Sequence, residues 1–356
     1  MKVLKKIVAL LIVAVMLFSF AGCHKQGEIA VTVGDVEFTS AYYMCVLIFS
    51  DSMAKSTVVE NLGEDADTDN INYYAQEIEG EKYVDWVKNT AIEELKKLAA
   101  YKILCKENEL EIDETTLANL NTYVDAYWAY GYSSYFEPNG VSLETYRQYI
   151  KDTYYADLYF THLYGEDGEF EIAADALKKE MKEKYLIADV LSVTYADYDT
   201  KEDDLKKQLE SYVKDLNNGD KTFEEVYKVF YKDEETEDAD KEDTTEDKDK
   251  EESAPKDPYA EIAGAEGTEY ESEYYETISK LKVGEATLVK EEKSAYIFVK
   301  QDISADEYYL EYLDGTLRHA LKDEEMEEKI VEYCETLEAE INKYAVNQFK
   351  VKKIKY

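Results

Sequence analysis

The sequence predicts an α+β protein: a mostly helical lobe built from N- and C-terminal segments, with a small mixed α/β domain inserted between them. Three observations carry this reading. From Val84 to Leu98 apolar residues recur at spacings of three and four, and the same period returns in later blocks, as amphipathic helices require. At residues 186–193 the period changes to a compact apolar run of strand length. Finally, residues 349–354 form an apolar-basic strand candidate. Its obvious partner is the hairpin expected near Ile29, which would close both chain ends into one lobe around the middle of the sequence.

Residues 1–22 read as a lipoprotein signal peptide. Lys2, Lys5 and Lys6 give a basic start, residues 7–20 an apolar run, and Ala21-Gly22 a small-residue approach to Cys23. The run is short for a membrane span. A thiol at Cys23 can carry a thioether-linked lipid, and Cys23 is the expected lipidation site. Phe20 stands where the usual motif has Leu, and the alternative is a plain secretory leader with Cys23 incidental. Two or more acyl chains hold a protein on a membrane stably. Residues 23–356 are therefore expected on the extracytoplasmic face of the membrane.

The remaining 23–356 divide into an N-terminal helical lobe (23–182), a mixed domain (183–303) interrupted by an acidic insert (232–258), and a returning helix and strand (304–356). At 356 residues the chain is long enough for two or three cores. Its formal net charge is -39, and loss of the leader's three Lys takes it to -42. Such a field repels phosphates, which argues against nucleic acid or an anionic membrane surface as partner. Cys45, Cys105 and Cys334 each sit in an apolar helical pattern and read as buried thiols. His162 and His319 lack partners at metal-ligand spacing, so no metal is expected. Tyr is unusually common, 34 against 11 Phe; the residues divide between helix-face core and surfaces that grip varied partners.

In chain order, Val33-Gly34-Asp35-Val36 turns a short hairpin, and Thr39 or Ser40 caps the helix after it. Residues 64–70 are an acidic interruption. The helix from Val84 ends near Asn108, residues 110–112 connect, and Asp113 caps a face of Leu117, Leu120, Val124 and Tyr127. Pro138-Asn139-Gly140 turns the chain, and Ser142 caps a stripe of Leu143, Tyr146, Ile150, Tyr154 and Leu158. After the break between Gly165 and Gly168, Leu177, Met181 and Tyr185 mark one more helix before the strand. Thr200 is a candidate cap for Leu205, Leu209, Tyr212 and Leu216, and Phe223, Val226, Tyr227 and Phe230 form the next helix. Residues 232–258 are too polar to bury anything and are expected to be disordered; a calcium loop would need a Gly turn that the tract lacks. Order resumes at 274–281, with a turn at Val283-Gly284-Glu285 and a strand at 295–299. A last long helix carries Leu321, Met326, Ile330, Tyr333, Leu337, Ile341 and Tyr344.

This order resembles the extracytoplasmic foldases of the PrsA and SurA type, with a parvulin-type peptidyl-prolyl isomerase domain inside a helical chaperone lobe. Phe223-Glu224-Glu225-Val226-Tyr227-Lys228 with Asp233 is similar to the first-helix motif of parvulins. Leu281-Lys282-Val283-Gly284-Glu285 followed by Tyr296-Ile297-Phe298-Val299 is similar to their closing turn and last strand. The resemblance implies pocket positions at Asp189, Asp233, Tyr270, Tyr274 and Tyr296. Parvulins carry there a His, a Cys or Asp, a Met, a Phe and a His, so only the acid is kept, and with Asp189 near Asp233 the two acids would either repel or leave one protonated. The expected function is an ATP-independent, membrane-anchored foldase for exported polypeptides, without cofactors and with weak or absent isomerase activity. An active isomerase and a solute-binding lipoprotein are the alternatives, and a homodimer is left open. A hydrolase has no support, since Gly-x-Ser-x-Gly and His-Glu-x-x-His are both absent.

Overall fold

The computed structural model describes residues 27–63, 70–231 and 257–356. The leader, Cys23, Asp233 and nearly all of the acidic insert lie outside the described residues. The chain divides into two compact units, one of residues up to Phe170 with Glu324–Tyr356, the other Glu171–Asp323. The sequence reading had set these boundaries at 182/183 and 303/304.

The first unit opens with β1 (Ile29–Val33) and β2 (Val36–Thr39), paired antiparallel about Gly34. Gly34 has φ +57, and a Cβ there would lie 3.1 Å from the Ile103 side chain, so the turn needs a residue without one. Thr39 caps α1 (Ser40–Leu62) by accepting from Tyr42 N. A two-residue hairpin, β3 (Glu77–Ile78) and β4 (Glu81–Lys82), leads into α2 (Tyr83–Glu107). Asp113 accepts from the backbone N–H groups of Thr115 and Thr116 at the start of α3 (Glu114–Tyr127). A π-turn over Trp128–Tyr132, with Gly131 at φ 153, and the short α4 (Ser133–Phe136) follow. Ser142 then caps α5 (Leu143–Tyr164).

The core of this unit joins both strands to α1, α2 and α5 through residues such as Val31, Phe38, Leu47, Leu95 and Tyr146. Two buried carboxylates tie it together. Asp152 accepts from Tyr42 Oη (3.0 Å), Lys102 Nζ (2.9 Å) and Gln148 Nε2 (2.7 Å), while Asp51 accepts from Tyr83 Oη (2.9 Å), from Tyr356 Oη and from Lys55 Nζ (3.0 Å). Each is buried yet fully paired, the condition under which a buried charge is tolerated. Cys45, Cys105 and Cys334 are buried free thiols.

The second unit starts with α6 (Ala174–Lys184) and β5 (Tyr185–Thr194), followed by α7 (Glu202–Asn218) and α8 (Phe223–Phe230). Thr200 caps nothing: α7 begins two residues later behind Lys201, and no side chain caps it. Three acids in its first turn, Glu202, Asp203 and Asp204, meet the positive helix end instead. Thr222 and Glu225 form a capping box on α8. Then come β6 (Ala260–Gly264), α9 (Tyr275–Ser279), β7 (Ala286–Lys290) and β8 (Ser294–Gln301). The four strands form one antiparallel sheet in the order β6-β5-β8-β7. The runs at 186–193 and 295–299 are neighbours in that sheet, in register from Ile187 opposite Gln301 to Thr194 opposite Ser294. Strands β6 and β7 escaped the sequence reading. Each has only five residues on a sheet edge, too short a run to show a period of its own.

The long helix, α10, runs Glu307–Thr336. It starts earlier than the stripe from Leu321 implied, because Leu317, Leu313 and Tyr309 are buried one, two and three turns upstream. It also stops short of Ile341 and Tyr344. Beyond it, β9 (Ala339–Ile341) pairs antiparallel with β1, giving a sheet ordered β2-β1-β9. Gly34 N donates to Glu338 O (3.0 Å) and Asn342 N to Ala30 O (2.9 Å), so the open edge of β1 captures the chain before it can continue as helix. Asn342 then caps α11 (Lys343–Asn347), and its Nδ2 donates to Ile29 O (3.1 Å). The strand expected at 349–354 is therefore not one: β1 has no edge left, and the segment forms a 3₁₀ turn at Val351–Lys353, with Val351 buried and Phe349 and Ile354 packed on the core.

Candidate functional site

The sheet of the second unit has two unlike faces, set by strand alternation. On one, Leu191, Val193, Ala295, Ile297 and Val299 pack under Leu205 and Leu209 of α7 and Phe223 and Val226 of α8. On the other, Ala188, Val190, Tyr296 and Phe298 cluster with Leu186, Val289 of β7, Ala263 of β6, Ile278 of α9 and the ring of Tyr274. This thin cover leaves a cavity of about 100 Å³ walled by Val190, Ile278, Tyr274, Tyr296 and Phe298, with Ser272 and Glu261 at its rim.

Three rings form the wall. Tyr274 lies 5.1 Å from Tyr296 and 5.0 Å from Phe298 between centroids, and Tyr296 stacks on Phe298 at 6.0 Å. Tyr274 is oriented by a hydrogen bond from its hydroxyl to Glu291 Oε1. Burial, with that carboxylate second, holds the Tyr274 hydroxyl well above the usual phenol range, so it stays a neutral donor. The loop that delivers Tyr274 is fastened at Gly264: Gly264 N donates to Tyr270 O (2.6 Å) and Ser272 N to Gly264 O (3.0 Å). A Cβ on Gly264 would lie 2.0 Å from Thr268 Oγ1 and 2.8 Å from Tyr270 O, so only glycine fits. The turn at Leu281–Glu285 is closed by Gly284, at φ +80, whose N–H donates to Lys300 O (2.7 Å). Asn217 at the end of α7 clamps the next strand, donating to Ala286 O (3.0 Å) and accepting from Ala286 N (2.7 Å).

Of the five pocket positions expected from sequence, the structure brings Tyr274 and Tyr296 together in one cavity. Tyr270 stands apart, its ring against Tyr185 and Tyr312 and its hydroxyl bonded to Tyr312 Oη at 3.2 Å, a bond that pushes its own titration up to about 12. Asp189 does not line the cavity. Alternation along β5 puts it on the same face as Leu191, where it is 3% exposed. Gln301 Nε2 donates to its Oδ2 (2.6 Å), while Oδ1 has no donor. Burial first, and then the neighbouring Asp257 carboxylate, raise the Asp189 carboxyl to about 7. The acid beside Asp189 among the described residues is thus Asp257, which the sequence reading had placed inside the disordered insert. Asp233 lies outside the described residues. Sequence reasoning also missed Phe298, Ile278 and Gln301. The alternation of 295–299 carried the signal for Phe298, and nothing local marked the other two.

Chemically the cavity is an apolar slot between the ~30 Å³ share of one water and the ~150 Å³ of a cavity that takes a benzene ring. Among the described residues no cluster of three His, Cys, Asp or Glu is arranged for a metal ion, and no helix is long and apolar enough to cross a membrane.

No protein-family model and no curated protein matches the sequence. Among solved structures, the chain is similar to foldase protein PrsA from Lactococcus lactis, at TM-score 0.40 and 11% identity over 91% of this chain and 99% of that one. It is also similar to foldase protein PrsA from Streptococcus pneumoniae, at TM-score 0.38 and 13% identity over 73% of this chain and 92% of that one. The structural neighbours of this mixed α and β fold are PrsA foldase proteins.

Proposed function

We propose that this protein is a membrane-anchored, extracytoplasmic, ATP-independent foldase that holds segments of exported polypeptides. The observation that carries the reading is the aromatic cavity of Tyr274, Tyr296 and Phe298. It is apolar, close to the size of a small ring, and built on a sheet face left nearly uncovered. Such a slot suits the side ring of a proline or another compact apolar residue in an extended chain. Holding a client needs only apolar contact and a polar rim, and no nucleotide-binding glycine loop occurs in the sequence to power a cycle. The lipid on Cys23 would keep this activity where unfolded chains emerge from export.

Prolyl isomerisation is expected to be weak. The barrier of about 20 kcal/mol falls when a pocket favours the twisted amide over both planar forms. Asp189, which the resemblance placed at the pocket, lies on the opposite sheet face and cannot contribute to that discrimination. The second reading, an active isomerase, is favoured by the same cavity. A solute-binding lipoprotein is disfavoured: that class is built on parallel sheets, and every strand pair among the described residues is antiparallel.

The purified chain should suppress aggregation of an unfolded client without nucleotide, and Tyr274→Ala with Tyr296→Ala should weaken that effect. Proline isomerisation of a peptide should run far below the rate of an intact parvulin. Failure to suppress aggregation would remove the foldase reading, and a parvulin-like rate would establish the isomerase instead. Cys23→Ala should release the protein from the membrane fraction.

A further inference from the structure

A second aromatic surface lies in the first unit, on α3 and the π-turn that follows it. Tyr123 and Tyr127 are one turn apart, with ring centroids 4.2 Å from each other, and Tyr132 meets Tyr127 edge-on at 5.4 Å. Beneath them Trp128, Phe136 and Tyr146 are buried and supply the core, so the outer rings are not needed to fill it. Tyr123 is 46% exposed and Tyr127 38%; Tyr130, thrown outward where Gly131 breaks the helical backbone, is 91% exposed. Single-residue π-type insertions of this kind are frequent at functional sites. Exposed aromatic faces clustered in this way mark an interaction surface.

The charge around the rings says what that something is. From Glu107 to Tyr146 the chain has eight acids and neither Lys nor Arg. The nearest following cation, Arg147, is spent on Asp125 and Glu144, at 2.7 Å each. A stripe of tyrosine faces on a segment without Lys or Arg of its own attracts cations twice, through its surplus of acids and through the negative face of each ring. The first unit already uses this contact elsewhere. Lys55 Nζ sits 3.4 Å from the centroid of Tyr356, and Tyr356 meets Tyr135 at 6.5 Å.

We propose that the exposed face of Tyr123, Tyr127 and Tyr130 binds unfolded polypeptide segments rich in Lys and Arg, and so selects cationic clients. This rests on the foldase reading and names the client class for a surface distinct from the cavity in the other unit. Each exposed cation–π contact is a factor of about two to five in affinity, so a segment engaging two or three rings gains about tenfold or more over one that engages none.

The test uses the full chain and two unstructured peptides of equal length and apolar content, one carrying Lys and Arg, the other Glu at the same places. Binding is followed by fluorescence anisotropy of the labelled peptides. The expected result is at least about tenfold tighter binding of the cationic peptide at low salt, narrowing at high salt. Tyr130→Ser should weaken it about two- to fivefold, Tyr130→Phe should leave it intact, and Tyr123→Ser with Tyr127→Ser and Tyr130→Ser should abolish the preference. Equal affinity for both peptides, no detectable binding of either, or indifference to the triple substitution would overturn the proposal. Client aggregation is assayed in parallel. If suppression persists while charge preference is missing, only this inference fails; if the wild-type chain does not suppress aggregation at all, the foldase reading fails with it.

Discussion

Replacing Asp189 by Asn should flatten the response of the second unit to pH. Asp189 is buried, its Oδ1 lacks a donor, and its carboxyl titrates near 7 in the folded chain against about 3.9 when unfolded. Between about pH 4 and pH 7 the native state therefore binds one more proton than the unfolded state, and stability falls as pH rises, by about 1.4 kcal/mol per unit. The contribution is fully present below pH 4 and lost above pH 7. Over three units the loss is about 4 kcal/mol. Asn resembles the protonated acid: its amide can still accept from Gln301 and can donate toward Asp257. Both Trp residues, Trp86 and Trp128, lie in the first unit, so Trp fluorescence would miss the effect. Hydrogen exchange of β5 reports it directly, above all at Val190, whose N–H is held by Tyr259 O at 3.1 Å. Protection in the wild type should fall from pH 5 to pH 8 once corrected for intrinsic exchange. Asp189→Asn should flatten that slope and be the better protected of the two at pH 8. Equal slopes would show that Asp189 does not keep its proton in the folded chain.

Three further outcomes follow from the same geometry. Asp152→Ala strands Lys102 and the Tyr42 hydroxyl between α1, α2 and α5, and should destabilise the first unit by about 3–5 kcal/mol in a denaturant titration followed by Trp fluorescence; Asp152→Asn should cost less. Tyr356→Phe removes the hydroxyl that donates to buried Asp51 while Tyr83 and Lys55 keep theirs, so a loss of about 1–3 kcal/mol is expected in the same titration. Gly264→Ala forces the Thr268 side chain and the Tyr270 carbonyl to move; it should disorder the loop before Tyr274 and lower binding of a small apolar probe in the cavity, while leaving the Trp-monitored transition of the first unit unchanged.

Some elements were legible because their signal is local. The hairpin about Gly34 needs one positive φ at a defined place, and Thr39, Asp113 and Ser142 each satisfy N–H groups only two or three residues ahead. Thr200 had the right chemistry and still caps nothing, because α7 starts two residues beyond it. Strands β6, β7 and β9 have no such signal: each exists because a neighbour's unpaired N–H and C=O groups recruit it. The candidate site divides the same way. Tyr274 and Tyr296 could be named from flanking motifs, whereas the removal of Asp189 to the other face follows from strand parity, and its pairing with Gln301 and Asp257 from contacts across 112 and 68 residues of sequence.

By itself the sequence determined the class of fold, the helical faces and the large negative charge, since composition and periodicity are properties of the chain whether folded or not. Tertiary structure alone decided which of two similar tails becomes the third strand beside β1, which tyrosines face solvent, and which acid shares the burial of Asp189. Those outcomes depend on hydrogen-bonding edges and desolvation, which come into being only when distant segments meet.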